Sequence, residues 1–244
     1  YKEMVQHLPL EKLFVFATAS LRNISNTDEA LQMILAETEL SIDILTGYQE
    51  ATFDFIGAAR SMQLNKGVLL DIGGGSTEIL VYERGEIQNA VSLAFGSLSM
   101  FSNYVKDLFP TKKEKKQIED AVLSELKKVK FLNNKTFDTV IGIGGSIRAT
   151  RNINNDIFSL PKENNTIFAE NVSAILKELK SGENDTLKKV LQTAPDRVHT
   201  LLPGMIVMNT VCQYVKCRDI LVSAYGVREG YLYQKLFLTD TKKE

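Results

Sequence analysis

Val68-Leu69-Leu70-Asp71-Ile72-Gly73-Gly74-Gly75-Ser76-Thr77-Glu78-Ile79-Leu80-Val81 is the stretch whose reading decides the fold. An apolar run ends in an aspartate, passes three glycines and two hydroxyl residues, and turns apolar again. Three successive residues without a Cβ let the backbone fold tightly and bring its N–H groups close to a bound anion. Ser76 and Thr77 can add hydroxyl donors, and Asp71 supplies an oxygen ligand suited to Mg²⁺. The stretch reads as two strands joined by a cradle for phosphate and metal.

Outward from the cradle, strands are expected at 67–72, 77–83 and 86–92, with Arg84-Gly85 as the second hairpin turn. Upstream, residues 1–62 alternate α-β-α-β-α, the pattern of an α/β layer. Tyr1–Leu8 ends a helix and Leu13–Thr18 is a buried strand. Asn26 with Glu29 resembles a capping box opening a helix to about Glu39, Ile42–Leu45 is a short strand, and Tyr48–Met62 a helix. Asn65-Lys66-Gly67 marks a break, which divides the chain into units 1–64 and 65–244. Downstream, Thr111 with Glu114 caps a helix to about Lys130. Thr139–Ile143 is a strand that runs through Gly144-Gly145-Ser146 into a helix bearing Arg148 and Arg151. Helices at 170–180, 186–192, 203–216 and 226–237 follow, with a strand at 219–223.

Composition narrows the partners. A net charge of -1 gives no global attraction for a nucleic acid duplex or an anionic membrane, so a polyanion would need a locally basic channel. No apolar run reaches membrane-spanning length. Cys212 and Cys217 are five apart in an expected helix, a spacing that points them in different directions. They read as small buried residues in a reducing cytoplasm rather than as a disulfide. His7 and His199 have no Cys/His cluster around them, which argues against zinc. A metal, if bound, is expected to be a hard ion held by carboxylates and phosphate oxygens.

Gly144-Gly145-Ser146 repeats the logic of the cradle at a strand-to-helix junction, where unpaired N–H groups and the helix dipole favour an anion. Glu50 falls in the first turn of a helix after a strand; it either activates water or simply complements the helix dipole. Arg22 sits at the carboxyl end of a strand, where it can fork onto phosphate oxygens or lie on a helix surface. Arg228-Glu229 faces the crevice or forms a surface pair. The lysines between 112 and 130 alternate with glutamates and apolar residues, as on a solvated helix face.

Several separated motifs agree with one family. Ala17-Thr18-Ala19-Ser20-Leu21-Arg22-Asn23, Thr46-Gly47-Tyr48-Gln49-Glu50-Ala51, Leu70–Ile79 and Ile141–Ser146 occur in order, followed by Val222–Gly230. With them the chain resembles the Ppx/GppA phosphatases, exopolyphosphatases and guanosine pentaphosphate phosphohydrolases. Pro195-Asp196-Arg197 and Leu202-Pro203-Gly204 keep that family's order. The resemblance implies an α/β, actin/ribonuclease-H-like (ASKHA-type) fold of two domains around a phosphate cleft. It implies Mg²⁺-dependent hydrolysis of a terminal phosphoanhydride in polyphosphate or guanosine pentaphosphate. In that reading Glu50 is the base for water, Asp71 holds Mg²⁺, and Glu78 helps order the site. Gly73, Gly74, Gly75, Ser76 and Thr77 cradle phosphate from one side and Gly144, Gly145 and Ser146, with Arg148 beyond, from the other. Arg22 neutralises charge in transfer. The resemblance also implies a cytoplasmic setting and leaves room for a homodimer.

The chain departs from the family pattern at a few positions. Gln49 stands where a second glutamate is usual, Ala224 where an aspartate is, and Ser146 where a threonine is. The family's opening Asp-x-Gly-Ser-Asn loop has no counterpart, so unit 1–64 is expected to be a partial first domain. The helical extension of longer members is likewise not matched. Actin-like ATPases and sugar kinases share the outline of Asp71–Glu78 and give a second reading; a non-catalytic phosphate-ligand sensor or anion-binding fragment is a third. The ending with Ser223, Gly226, Arg228, Glu229 and Gly230, a Ser-x-x-Gly-x-Arg-Glu-Gly pattern, argues against the kinase.

Overall fold

The computed structural model describes residues 2–179 and 184–238. The chain opens with α1 (Lys2–Gln6), β1 (Phe16–Ala17), α2 (Ala19–Arg22), α3 (Thr27–Thr38), β2 (Asp43–Ile44) and α4 (Gly47–Ala59). A three-stranded meander follows: β3 (Lys66–Ile72), β4 (Thr77–Glu83) and β5 (Glu86–Leu93). Then come α5 (Ser97–Tyr104), α6 (Lys112–Lys128), β6 (Thr139–Ile143), α7 (Gly145–Ile157), β7 (Thr166–Phe168), α8 (Ala169–Glu178) and α9 (Asn184–Thr193). The last elements are α10 (Leu201–Tyr214), β8 (Asp219–Val222) and α11 (Val227–Tyr233), which runs on into a π-helical turn over Gln234–Leu238.

β1 and β2 pair in parallel as a two-stranded sheet, and the other six strands form one sheet ordered β5-β4-β3-β6-β8-β7. The meander is antiparallel, β3, β6 and β8 are parallel, and β7 closes the edge antiparallel to β8. That order and those directions are the ribonuclease-H-like arrangement of the actin class.

Alternation along the strands assigns every side chain to one of two faces. Val68, Leu70, Ile72, Ile79, Val81 and Val140 meet Ile118, Val122 and Leu126 of α6 and Ile206, Val207 and Val211 of α10. Leu69, Leu80, Tyr82, Ile141 and Ile143 meet Ala51, Phe55 and Ala58 of α4 on the other face. Each of these strands is covered on both sides, which is why 68–72 and 77–82 read as near-continuous apolar runs. Truncating Leu69 or Leu70, both fully buried, would cost about 2–5 kcal/mol. Leu64 packs with Leu69 and Leu80 beyond the 65–67 turn and with Ala51, Phe55 and Ala58 of α4 in this core.

The expected Thr111–Glu114 pair caps α6 reciprocally, and Thr46 with Gln49, a pair not anticipated from the sequence, does the same for α4. Gln49, where the family pattern has a glutamate, therefore serves the cap. Asn26 does not cap α3 through its side chain; its backbone (φ -115, ψ 34) is not extended, and the Thr27 hydroxyl bonds back to Leu21 O instead. The strand expected over 13–18 is confined to Phe16–Ala17, because β2 offers a partner only two residues long. The helix expected at 170–180 runs over Ala169–Glu178; Lys180, like Tyr1 of the first expected helix, lies outside the described residues.

The cysteines require a correction. Both are free and buried, as expected, but they do not point apart: the Cys212 thiol meets Cys217. α10 ends in a Schellman turn, with Lys216 left-handed (φ 54), Cys217 N–H donating to Cys212 O and Lys216 N–H to Gln213 O. The helix has stopped before Cys217, so helical spacing no longer governs its direction.

Candidate active site

Strand alternation decides which residues of the cradle face the cleft. Asp71 stands between Leu70 and Ile72, so it shares the α4 face with Leu69; Glu78 does so with Leu80. The two acids are direct cross-strand partners in the β3–β4 ladder. From the helix above, Glu50 and Asp54 are one turn apart on the buried side of α4. Four carboxylates from three elements therefore converge, all less than a tenth exposed. Asp54 was not singled out by its sequence; its signal is the i, i+4 spacing from Glu50.

Arg22, at the end of α2, forms ion pairs with this cluster. Its Nη1 donates to Glu50 Oε2 and to Leu45 O, each at 2.8 Å, and its Nη2 lies 3.8 Å from Glu78 Oε1. Arg22 is thus a buried-site arginine and not a helix-surface one. Ser92 donates to Glu78 Oε1 at 2.7 Å. Both oxygens of Asp54, with Asp71 Oδ1 and Glu78 Oε2, are buried without a hydrogen-bond partner.

Crowding of acids out of water raises their proton affinity. Burial pushes Glu78 up to about 8, with the Glu50 charge adding to it. Burial pushes Asp71 to about 6 against the lowering pull of Asp54 and Arg148. Asp54 is held well above the usual carboxylate range, first by burial and then by the charge of Asp71. A proton on Asp54, donated towards Asp71, gives the facing pair the hydrogen bond that two ionised carboxylates cannot make.

The glycine loop closes on itself, with Gly73 N–H donating to Ser76 O at 3.0 Å. Its outward carbonyls are taken by the start of α5: Ser97 N–H reaches Gly73 O, and Leu98 and Ser99 N–H reach Gly74 O. A Cβ at Gly74 or Gly75 would meet only ordinary contacts at 3.7 Å, and neither residue has positive φ. Packing does not demand glycine there; what glycine secures is open space over the loop. Gly144 differs: its φ is 99°, and a Cβ would lie 2.5 Å from Asp71 Oδ1. It is the N-cap of α7 without any side-chain cap, so the free N–H groups of that helix open beside Asp71.

Asp71, Gly73, Gly74, Gly144, Gly145 and Arg148 line a cleft of about 480 Å³, joined from other elements by Arg197 and Arg228. Arg197 packs its guanidinium over Gly145, using the room that glycine leaves. It was noted in sequence only as part of an ordered motif. Arg228 and Glu229 both line the cleft, and Glu229 also accepts from Gly226 N–H and caps α11. Ala224 lines the same cleft where the family pattern has an aspartate.

One hydroxyl reading needs correction. Thr77 alternates to the face opposite Glu78, is fully buried, and donates to Phe95 O at 2.7 Å. Its hydroxyl is spent within the fold. Ser146 is 1% exposed and packs against Gly204 of α10, so its side chain points away from the cleft. Ser76 is buried at the turn. Of the two loops, Gly73, Gly74, Gly144 and Gly145 line the cleft, and having no side chains they offer it backbone.

Among the described residues no group of three or more His, Cys, Asp or Glu side chains is arranged to hold a metal ion. The buried, unpartnered oxygen of Asp71 nevertheless fits a hard cation whose remaining ligands come from phosphate and water. No helix among the described residues is long and apolar enough to cross a membrane.

Glycine loops at the carboxyl ends of β3 and β6 in a ribonuclease-H-like sheet define the actin-like class of α/β proteins. Within that class the chain belongs to the Ppx/GppA phosphatase family, whose sequence model matches residues 1–238. A Haemophilus influenzae protein that carries the name of an exopolyphosphatase is 25% identical over 236 residues, 96% of this chain and 72% of that protein. A guanosine-5'-triphosphate,3'-diphosphate pyrophosphatase of Aeromonas hydrophila is 24% identical over 235 residues. The match takes in 96% of this chain and 47% of the Aeromonas protein, so the chain spans about half that relative's length. An Aquifex aeolicus member of the family superposes with a TM-score of 0.77 at 22% identity, covering 100% of this chain and 79% of its own. An exopolyphosphatase from Cytophaga hutchinsonii gives 0.81 at 20% identity, covering 96% and 78%. These structures share the fold.

Proposed function

We propose that this chain carries the catalytic carboxylates and one phosphate-binding wall of a hydrolase that cleaves a terminal phosphoanhydride of polyphosphate or guanosine pentaphosphate. One observation supports it above the others: four buried carboxylates, one of them bonded to Arg22, stand beside a cleft lined by two glycine loops. Glu50 takes a proton from water, whose oxygen bonds to the terminal phosphorus as the bridging P–O bond breaks. The electron pair leaves on a shortened polyphosphate or on guanosine tetraphosphate. Backbone N–H groups at the start of α7, with Arg148, Arg197 and Arg228, hold the non-bridging oxygens. Arg22 keeps Glu50 aimed, and offsets charge as the phosphoryl group transfers. Mg²⁺, held at Asp71 with Glu78 ordering the site, would neutralise charge on the phosphates. The family's cytoplasmic setting, a partial first domain over residues 1–64 and a homodimer belong to the same reading.

The test compares phosphate release from polyphosphate, guanosine pentaphosphate and ATP, with and without Mg²⁺. Glu50→Gln is expected to lower turnover by about 10²-fold or more while substrate still binds. Turnover unchanged in that variant would sink the base assignment. Binding without release by the unaltered protein would identify a phosphate-ligand sensor instead, and release confined to ATP would identify an ATPase.

A further inference from the structure

We infer that the last helix aims Arg22: Tyr231 and Lys235 clamp Asp43 on β2, and β2 in turn holds the arginine that bonds Glu50. The inference rests on the hydrolase reading above and adds positioning residues to it. Tyr231 is 3% exposed and is wedged between the rings of Phe16, at 4.7 Å, and Phe53, at 5.5 Å. Its hydroxyl donates to Asp43 Oδ2, and Lys235 Nζ reaches the same oxygen at 2.6 Å. Lys235 first, and then Tyr231, holds the Asp43 carboxyl below its ordinary value, so it is ionised at neutral pH.

β2 is also held by Asp43 N–H donating to Val15 O and Leu45 N–H to Ala17 O, and by the buried Leu45 side chain against Phe53 and Tyr231. The strand is two residues long, and its ladder partner is the equally short β1. Two residues beyond Asp43, the Leu45 carbonyl accepts the Arg22 Nη1 that also serves Glu50, both at 2.8 Å. Along an extended chain that separation is about 7 Å. A slip of β2 by about 1 Å would stretch the Arg22–Leu45 bond past useful hydrogen-bond length. Arg22 would then lose the support that orients it on Glu50, and misplacement on this scale can cost up to about 10²-fold in rate. An ion pair this exposed, with Asp43 at 48% and Lys235 at 33%, adds little to global stability. Its placement makes it a register pin.

The experiment is a mutant cycle on phosphate release, using Tyr231→Phe, Asp43→Ala, Arg22→Lys and the doubles. The single clamp variants are expected to lower kcat about tenfold with KM within about twofold, since a positioning loss falls on the transition state. In the Arg22→Lys background the clamp changes are expected to have no further effect, because both act through one side chain. Additive losses, or a full kcat in both clamp variants, would overturn the inference. Thermal melts identify a variant that has unfolded; if Asp43→Ala does, Tyr231→Phe carries the same test. If the unaltered protein hydrolyses no phosphoanhydride, the hydrolase reading fails on its own. The cycle is then read on tripolyphosphate affinity by calorimetry, where coupling through Arg22 upholds the clamp and additivity refutes it.

Discussion

Glu78 shows what the site costs the fold. It is fully buried, faces Asp71 across the ladder, and has one carboxylate oxygen without a partner. Its proton affinity is raised by burial to about 8, against 4.5 ordinarily. The folded chain therefore holds a proton that the unfolded chain has lost across that interval. The stability this proton confers is complete below about pH 4.5 and is lost as pH rises through 8. Asp71, raised from 3.8 to about 6, adds to the slope in the lower half of the window. Metal-free protein is thus expected to melt at lower temperature at pH 8 than at pH 5. Glu78→Gln should flatten that dependence and stabilise the protein at pH 8 by on the order of 3 kcal/mol. A Tm that rises from pH 5 to 8 in metal-free buffer, or one whose slope is unchanged in Glu78→Gln, would contradict this expectation. The acids were unequally legible: Asp71 announced itself by ending an apolar strand before glycines, whereas Asp54 looked like any polar residue in a helix until the packing of α4 buried it.

At the scale of elements, the two glycine loops separate strain from function. Gly144 is required by geometry, with φ 99° and Asp71 Oδ1 where its Cβ would be. Gly144→Ala is expected to cost about 1–3 kcal/mol in chemical denaturation and to displace Asp71, with activity falling in step. Gly75 has no such constraint, since a Cβ there would make ordinary contact with Ala19. Gly75→Ala should leave denaturation within about 0.5 kcal/mol of the unaltered protein while phosphate binding weakens. Equal behaviour of the two variants in both measurements would refute the distinction. Period-two alternation also explains why the Thr77 hydroxyl is unavailable to the site. Asp71 and Glu78 point to α4, so Thr77, one residue from Glu78, must point to the opposite core. Counting donors along the sequence could not assign that face without the ladder register.

Over the whole molecule, order is unevenly distributed. β3 and β4 are covered on both faces, whereas α3 buries none of its residues and leaves Met33 and Leu35 more than half exposed. Hydrogen exchange is expected to be slowest in β3, β4 and β6 and fastest in α3, with α4 grouped with the sheet it packs on. Slow exchange in α3 together with fast exchange in β3 would contradict this ordering. The strands at 67–72, 77–83 and 86–92, the helix cap at Thr111, and the two glycine loops were readable in the chain because each rests on local chemistry. Side-chain period, cap hydrogen bonds and missing Cβ atoms all act within a few residues. The convergence of Glu50, Asp54, Asp71 and Glu78, the reach of Arg22 across 28 residues to Glu50, and the arrival of Arg197 over Gly145 came only with tertiary structure. Those contacts depend on how α4 and α10 lie against the sheet, which is set by the summed burial of both apolar faces and by no single segment.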